Sequence, residues 1–462
     1  MPDYDIAILG AGPGGYVAAL RAAGLGAKVA LIEAVWLGGT CLNVGCIPSK
    51  AYLHLAELYE TVRRQGDAFG ILADKLTVDF ARVVDHKDKV VKLNTGGVAS
   101  MLKKRGVQVI MGRGRLTAPG GLSIDLTDGS SRSLTAGKII LATGSTSTKF
   151  DFIPFDGKRV FTSDDVWDRR ELPAHALIVG GGVIGCEFAS IFSGFGAQVT
   201  VVEMLDRILP LQDEDVSKEL TKAFKKRKVK LHTGRKVEQM TVDGETVQST
   251  LDDGTEIEAD LVLVAVGRRP NTDDIGLDAA GVQTDNGVIV VDERCQTNVA
   301  NVYAIGDCAT TLQLAHVASR MGLVAAENAC GHEAAETLGV VPAGIFTHPE
   351  VGEVGLSETK AKEIGRDVKV AKFPMMASGI AHAFAATEGF AKLVADPVTG
   401  EILGASIVGQ HAADIIHEVA LAMRNELTVD EIALTIHAHP TFSETVMEAA
   451  EAWLDRPIHG PA

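Results

Sequence analysis

The chain has 462 residues, 46% of them hydrophobic and 23% charged, with a formal net charge of −16. That length exceeds what one hydrophobic core serves and points to about three domains. The acidic balance speaks against nucleic acid or an anionic membrane as partner, because both demand clustered Lys and Arg. Six cysteines are too few for a secreted disulfide scaffold. No apolar run is long enough to span a bilayer, so a cytoplasmic or processed organellar setting is expected.

Ile6 to Leu9 reads as a short buried strand, followed by Gly10-Ala11-Gly12-Pro13-Gly14-Gly15 and an alanine-rich helix ending near Gly24. The next apolar run closes on Glu33. Gly10, Gly12 and Gly15 give the G-x-G-x-x-G spacing, which combines a tight turn, a backbone approach to a pyrophosphate and close helix–strand packing. Glu33 stands where an acid would accept hydrogen bonds from a ribose.

Directly after this unit come Cys41 and Cys46, with four residues between them, within Gly39-Thr40-Cys41-Leu42-Asn43-Val44-Gly45-Cys46-Ile47-Pro48-Ser49-Lys50. If the second cysteine opens a helix, the sulfurs come within bridging reach. Good helix formers from Ser49 to Leu58 place the pair at a helix N-terminus, where the dipole favours a thiolate. A zinc half-site would need a second close ligand pair, which Cys186, Cys295, Cys308 and Cys330 do not supply. A structural bridge is the other plain reading, and a redox-active disulfide is the one this setting favours.

The helix from the cysteine pair is expected to run toward Gln65, with a second over Phe80 to Lys104 and strands at Val107–Ile110, Leu122–Leu126 and Lys138–Leu141. The last leads into Thr143-Gly144-Ser145, and Thr146 to Pro173 reads as a loop-like linker. The dinucleotide-binding pattern then recurs. Ala176 to Val179 is a strand, Gly180, Gly182 and Gly185 repeat the glycine spacing, and Glu203 follows Gly180 at the separation of Glu33 from Gly10. Two matching units imply two dinucleotides. Val247–Leu251 and Thr255–Ala259 flank a turn and read as a hairpin, and Leu261 to Val266 is a buried strand before Gly267-Arg268-Arg269-Pro270. Strands at Val288–Val291 and Asn301–Ile305 end at Asp307, which suits either a ribityl hydroxyl or a helix N-cap. From Pro342 a third region alternates strands (Ala391–Val394, Ile402–Val408) with helices (Ala412–Asn425, Thr441–Trp453).

The octapeptide His437-Ala438-His439-Pro440-Thr441-Phe442-Ser443-Glu444 admits two readings. A dithiol enzyme needs a base, and Glu444 could orient His439 for that work. Thr441 and Glu444 also form a capping box for the last helix. No further ligand cluster accompanies the histidines, so a metal site is not expected.

Together the cysteine motif, Val266-Gly267-Arg268-Arg269-Pro270-Asn271 and the tail octapeptide resemble the pyridine nucleotide–disulfide oxidoreductases, over nearly the whole chain. The residues match best the branch that oxidises dihydrolipoamide. The resemblance implies an α/β fold with two Rossmann-like dinucleotide-binding domains and a C-terminal α+β dimerisation domain. Residues 1–147, continued by 271–341, would bind FAD; 148–270 would bind NAD; 342–462 would form the interface of a homodimer. FAD contacts are implied for Gly10, Gly12, Gly15, Glu33, Gly39, Thr40, Lys50, Gly114, Thr143, Gly144, Ser145, Asp307, Gln313, Leu314, Ala315 and His316. NAD contacts are implied for Gly180, Gly182, Val183, Ile184, Gly185, Glu187, Glu203, Val237 and Gly267. By the same resemblance Cys46 lies against the flavin, Cys41 exchanges with substrate, Lys50 and Glu187 pair beside the flavin ring, and His439, oriented by Glu444, serves the partner's disulfide as base. The implied substrate is dihydrolipoamide carried on an acyltransferase or carrier protein of a 2-oxo acid dehydrogenase or glycine cleavage complex. Another FAD-dependent NAD(P)H disulfide or mercuric reductase is the alternative.

Overall fold

Tyr4–Leu9 lies at the centre of the first sheet of the computed structural model, which describes residues 1–460. It pairs in parallel with Val29–Glu33 on one side and with the end of Ser131–Leu141 on the other. Beyond these, Gln108–Ala118 and Val302–Ala304 extend the parallel run. Ile6 through Leu9 are all buried, as a parallel strand covered on both faces must be. Helix Pro13–Gly24 packs on this sheet and against helix Ala315–Ala329, and the two approach most closely where Gly322 passes the Gly14 carbonyl. Gln108–Ala118, Gly121–Leu126 and Ser131–Leu141 also form an antiparallel meander at the edge.

The second sheet is wholly parallel: Lys230–Thr233, Gln198–Glu203, His175–Val179, Leu261–Val264 and Val160–Thr162, in that spatial order. The last strand corrects the reading of 146–173 as plain linker. Three buried residues, Val160, Phe161 and Thr162, are too few to show a period, yet they close the sheet's edge. A three-stranded meander, Val237–Asp243, Thr246–Leu251 and Glu256–Ala259, caps this body. The hairpin is as expected. Its outer strand escapes sequence reading because a register shift between Val237 and Gln239 breaks the alternation.

The chain crosses between the two bodies on one antiparallel ribbon, Ser145–Ser147 with Arg268–Pro270. From residue 342 onward, five antiparallel strands (Pro342–Ile345, Val351–Gly355, Ile402–Val408, Phe390–Ala395 and Lys369–Pro374) form a third sheet. Helices Ala412–Arg424 and Glu444–Trp453 cover it and share its core. Ile345, Val351, Phe390 and Val408 instead pack with Tyr52, Phe188 and Phe192, binding the third sheet to helices of the first two bodies. Residues 461 and 462, which close the expected third region, lie outside the described residues.

Candidate active site

The two glycine motifs fold alike. Each sits between the end of a buried strand and a helix, Pro13–Gly24 in one and Val183–Phe195 in the other. Gly10 and Gly180 hold φ of +101° and +108°, and a Cβ on either would strike a neighbouring carbonyl. Both helices begin without a side-chain cap on Gly12 or Gly182, so their first N–H groups remain free for an anion. A Cβ on Gly182 would meet nothing within 4 Å, and one on Gly12 only the Gly39 Cα at 4.0 Å. Uncapped donors facing open space are what a pyrophosphate requires, and both cradles fit one. Val183 and Ile184 are the first two residues of the second helix.

The acids also act alike. Glu33 Oε2 accepts the Ala11 N–H at 2.7 Å, while Oε1 accepts those of Val35 and Trp36 at 2.7 and 3.0 Å. Glu203 accepts Gly181 at 2.6 Å and Leu205 at 2.8 Å. Each carboxylate therefore ties its glycine loop to the strand end, in addition to the ribose role expected of it. A carboxylate has about four acceptor sites, so the two roles are compatible.

Cys41 lies in the single helical turn Gly39–Asn43, and Cys46 is the first residue of the long helix Cys46–Phe69. Between them Gly45 comes so close to Thr40 that a Cβ there would lie 3.0 Å from the Thr40 carbonyl oxygen. The Asn43 amide clamps the loop by donating to Leu37 and Gly39 carbonyls at 3.1 and 2.9 Å. A Gly38 N–H to Ala11 carbonyl bond of 2.9 Å seats the whole turn on the first glycine motif. Both sulfurs stand as thiols, the reduced member of the redox couple expected from the sequence. Their mutual interaction pushes the Cys41 thiol up and brings Cys46 down to about 7, with the Lys50 charge also lowering Cys46. Cys46 is thus the sulfur that ionises first, consistent with its place at a helix N-terminus.

Lys50 Nζ meets both Glu187 carboxylate oxygens, at 3.0 and 3.1 Å, joining the cysteine helix to the second glycine-motif helix. Glu187 Oε1 also accepts the Phe346 N–H at 3.0 Å, and the Phe346 ring centroid lies 4.4 Å from Nζ.

Around the first module the expected contact residues gather at the crossing ribbon. Asp307 is not a helix N-cap: it sits within the turn Gly306–Cys308, and its Oδ2 accepts the Ser145 hydroxyl at 2.6 Å. Thr143 and Asn271 exchange hydrogen bonds of 2.7 and 3.0 Å, and the Gly144 carbonyl accepts the Asn271 N–H at 2.8 Å. Gln313 donates to the Arg268 carbonyl at 3.4 Å, Leu314 and Ala315 open the helix Ala315–Ala329, and His316 Nε2 lies 2.8 Å from the Pro342 carbonyl. A Cβ on Gly114 would lie 3.3 Å from the Ile32 and Leu9 side chains in the first sheet. Sequence reasoning missed Arg268, which joins Ser145 Oγ at 2.8 Å and Asp164 at 2.8 Å; it stood inside a motif that was quoted, but without a role. It missed Phe346 altogether, for want of any motif around it. In the second module Gly267 borders the crossing, its carbonyl accepting the Thr148 N–H at 3.0 Å. The Val237 side chain is buried among Leu177, Val202 and Val247.

In the tail, Glu444 Oε1 lies 2.9 Å from His439 Nδ1, and Oε2 accepts the Thr441 N–H at 2.7 Å. Burial would raise this carboxyl, but the Thr441 N–H and His439 outweigh it and hold it below the usual range. The expected cap at Thr441 is half formed: the helix starts at Glu444, and the Thr441 hydroxyl donates to the Ala438 carbonyl at 2.8 Å instead. The full capping box occurs one helix earlier, at Thr428 and Glu431. The His439 side chain is 81% exposed, and its Nε2 makes no hydrogen bond among the described residues. Among the described residues no group of three His, Cys, Asp or Glu side chains could hold a metal ion, and no helix is long and apolar enough to cross a membrane.

Comparison with known proteins agrees with this geometry. Residues 4–322 match the model of the family described as pyridine nucleotide-disulphide oxidoreductase, and 341–450 match its dimerisation domain. The chain is 44% identical to a dihydrolipoyl dehydrogenase of Chlamydia muridarum, covering 99% of this chain and 98% of that one. It is 43% identical to one of Bacillus subtilis, with 99% of each covered. The crystal structure of LpdA from Mycobacterium tuberculosis superposes with a TM-score of 0.91 at 30% identity, over 97% of this chain and 99% of that one.

Proposed function

Since the chain belongs to the pyridine nucleotide-disulphide oxidoreductase family, we propose that it is a dihydrolipoyl dehydrogenase, oxidising dihydrolipoamide to lipoamide with NAD as final acceptor. The observation that carries this reading is the Cys41–Cys46 pair, with Cys46 on a helix N-terminus beside the Lys50–Glu187 ion pair. Full-length similarity to proteins of that name supports the choice of substrate.

FAD is the dinucleotide assigned to the first cradle, held by the Gly10–Gly15 loop, Glu33 and the residues around Asp307, and NAD to the second, held by the Gly180–Gly185 loop and Glu203. Together they supply hydride chemistry that no side chain provides. Glu203 would repel a 2′-phosphate, which favours NAD over NADP. The body 1–147 with 271–341, the insert 148–270 and the region from 342 onward are the units assigned to FAD, NAD and the homodimer contact.

The working form carries a Cys41–Cys46 disulfide. A dihydrolipoamide thiol gives its proton to His439 Nε2 of the opposing subunit while Glu444 holds Nδ1. The resulting thiolate attacks Cys41 Sγ, and the Cys41–Cys46 bond breaks with its electron pair on Cys46. The second substrate thiol, deprotonated in turn, attacks its own mixed-disulfide sulfur, closing lipoamide and releasing Cys41 as a thiol. Cys46 is left as a thiolate, stabilised by the helix N-terminus, the Cys41 thiol and Lys50.

Purified protein should be yellow and should reduce lipoamide with NADH far faster than with NADPH. It should reduce glutathione disulfide poorly with either. Rapid NADPH-linked turnover of glutathione disulfide or mercuric ion would overturn the substrate assignment. A cytoplasmic location and a carrier-bound lipoyl partner belong to the same proposal, and pull-down with a lipoyl carrier domain tests the second.

A further inference from the structure

Phe346 follows the first strand of the third sheet, Pro342–Ile345, yet it reaches the redox centre from outside both dinucleotide bodies. Its N–H and the Lys50 ammonium share one oxygen of Glu187, each at 3.0 Å, and its ring lies against the same ammonium at 4.4 Å. Two residues on, the His348 N–H reaches Ser190 Oγ at 3.4 Å, one turn beyond Glu187 on the same helix. The Thr347 hydroxyl closes the segment on itself by donating to the Pro349 carbonyl at 2.7 Å. The strand end is thus stitched along the helix that carries the acid. A lysine ammonium is a point charge on a flexible four-carbon stem, and one carboxylate leaves it free to swing. An aromatic face adds a second, directional restraint.

We infer that Phe346 is a positioning residue for the dithiol centre: its ring and backbone N–H fix where the Lys50 charge stands relative to Cys46. The inference rests on the reading of Cys46 as the flavin-facing thiolate. It makes the third region a contributor to the redox site of its own chain, apart from any contact it makes with a partner subunit. The backbone bond survives any side-chain change, so substitution isolates the ring.

The test titrates the thiolate-to-flavin charge-transfer absorbance of the two-electron-reduced holoenzyme against pH. Phe346→Leu and Phe346→Met, which fills similar volume without a π face, should both raise the midpoint. The expected change is about threefold to tenfold in Cys46 acidity, the range a cation–π contact spans. Phe346→Tyr should restore the wild-type midpoint, and Lys50→Met should raise it further. A midpoint within about twofold of wild type in both aliphatic variants, while Lys50→Met shifts it, would overturn the inference and leave the proposed function standing. A wild-type protein that develops no charge-transfer absorbance on reduction would remove both.

Discussion

Lys392 Nζ sits 2.9 Å from each carboxylate oxygen of Asp213, and both side chains are 2% exposed. Lys392 belongs to the third sheet and Asp213 caps helix Glu214–Lys226 of the second body. Asp215 at 2.9 Å and Glu358 at 3.4 Å complete the surroundings of the ammonium. Burial would discharge the lysine, but the aspartates prevail and hold its pKa above the usual value.

Removing the cation would strand these acids in a dry interface. Lys392→Ala should therefore cost about 3–5 kcal/mol, well beyond an exposed ion pair. Denaturant unfolding at matched flavin loading measures it, because bound cofactor adds its own stabilisation. A loss below about 1 kcal/mol would mean the acids find other partners.

Glu353 shares this interface, accepting the Asp213 N–H and the Ser406 hydroxyl, both at 3.0 Å. Burial pushes its carboxyl up to about 7. A raised carboxyl holds its proton in the native state after the unfolded chain has released it. Its cost to stability is absent below about 4.5, grows as pH rises to about 7, and is constant above. Glu353→Gln keeps an acceptor without the charge, so it should raise Tm at pH 8 and change it little at pH 4. Equal shifts at both values would contradict the assignment.

In the tail, His439→Ala should lower lipoamide turnover by about 10²- to 10⁴-fold, the usual worth of a positioned base. Glu444→Gln should cost less and shift the acidic limb of the pH profile, since it leaves the imidazole in place but removes the charge beside Nδ1. Flavin content should be unchanged in both. Full activity in His439→Ala would return the octapeptide to a purely structural part at the helix start.

For the second dinucleotide, Glu203→Ala deletes the proposed ribose acceptor and frees the Gly181 and Leu205 N–H groups. The KM for NADH should rise about 10- to 100-fold, as for loss of a charged hydrogen bond, with a narrower preference over NADPH. A normal KM would place nucleotide selection elsewhere.

The sequence showed most clearly what repeats or carries chemistry in few residues. Gly10 with Glu33 and Gly180 with Glu203 were legible because a nucleotide cradle needs fixed spacings. Helix Phe80–Lys104 was legible because its period runs for seven turns. Cys41 and Cys46 stood out by type, but the proximity of Lys50 to Glu187 spans 137 residues of sequence and came only through family resemblance. Asp307 was ambiguous because a cap and a ligand contact call for the same side chain, and only its place inside the turn Gly306–Cys308 excludes the cap. Arg268 and Phe346 act through tertiary contacts with residues distant in sequence, which leave no periodic trace. The second acceptor work of Glu33 was hidden for a different reason, since a backbone N–H partner has no residue type.

The ribbon of Ser145–Ser147 and Arg268–Pro270 is the one paired crossing between the first two bodies among the described residues. Departure and return are neighbouring strands, so everything from residue 148 to 267 hangs from the first sheet as a single cassette. Replacing that cassette with a two-residue hairpin turn would leave every strand of the first sheet in sequence and in register. The same topology lets one gene acquire a second nucleotide module in one insertion, without disturbing the core that receives it.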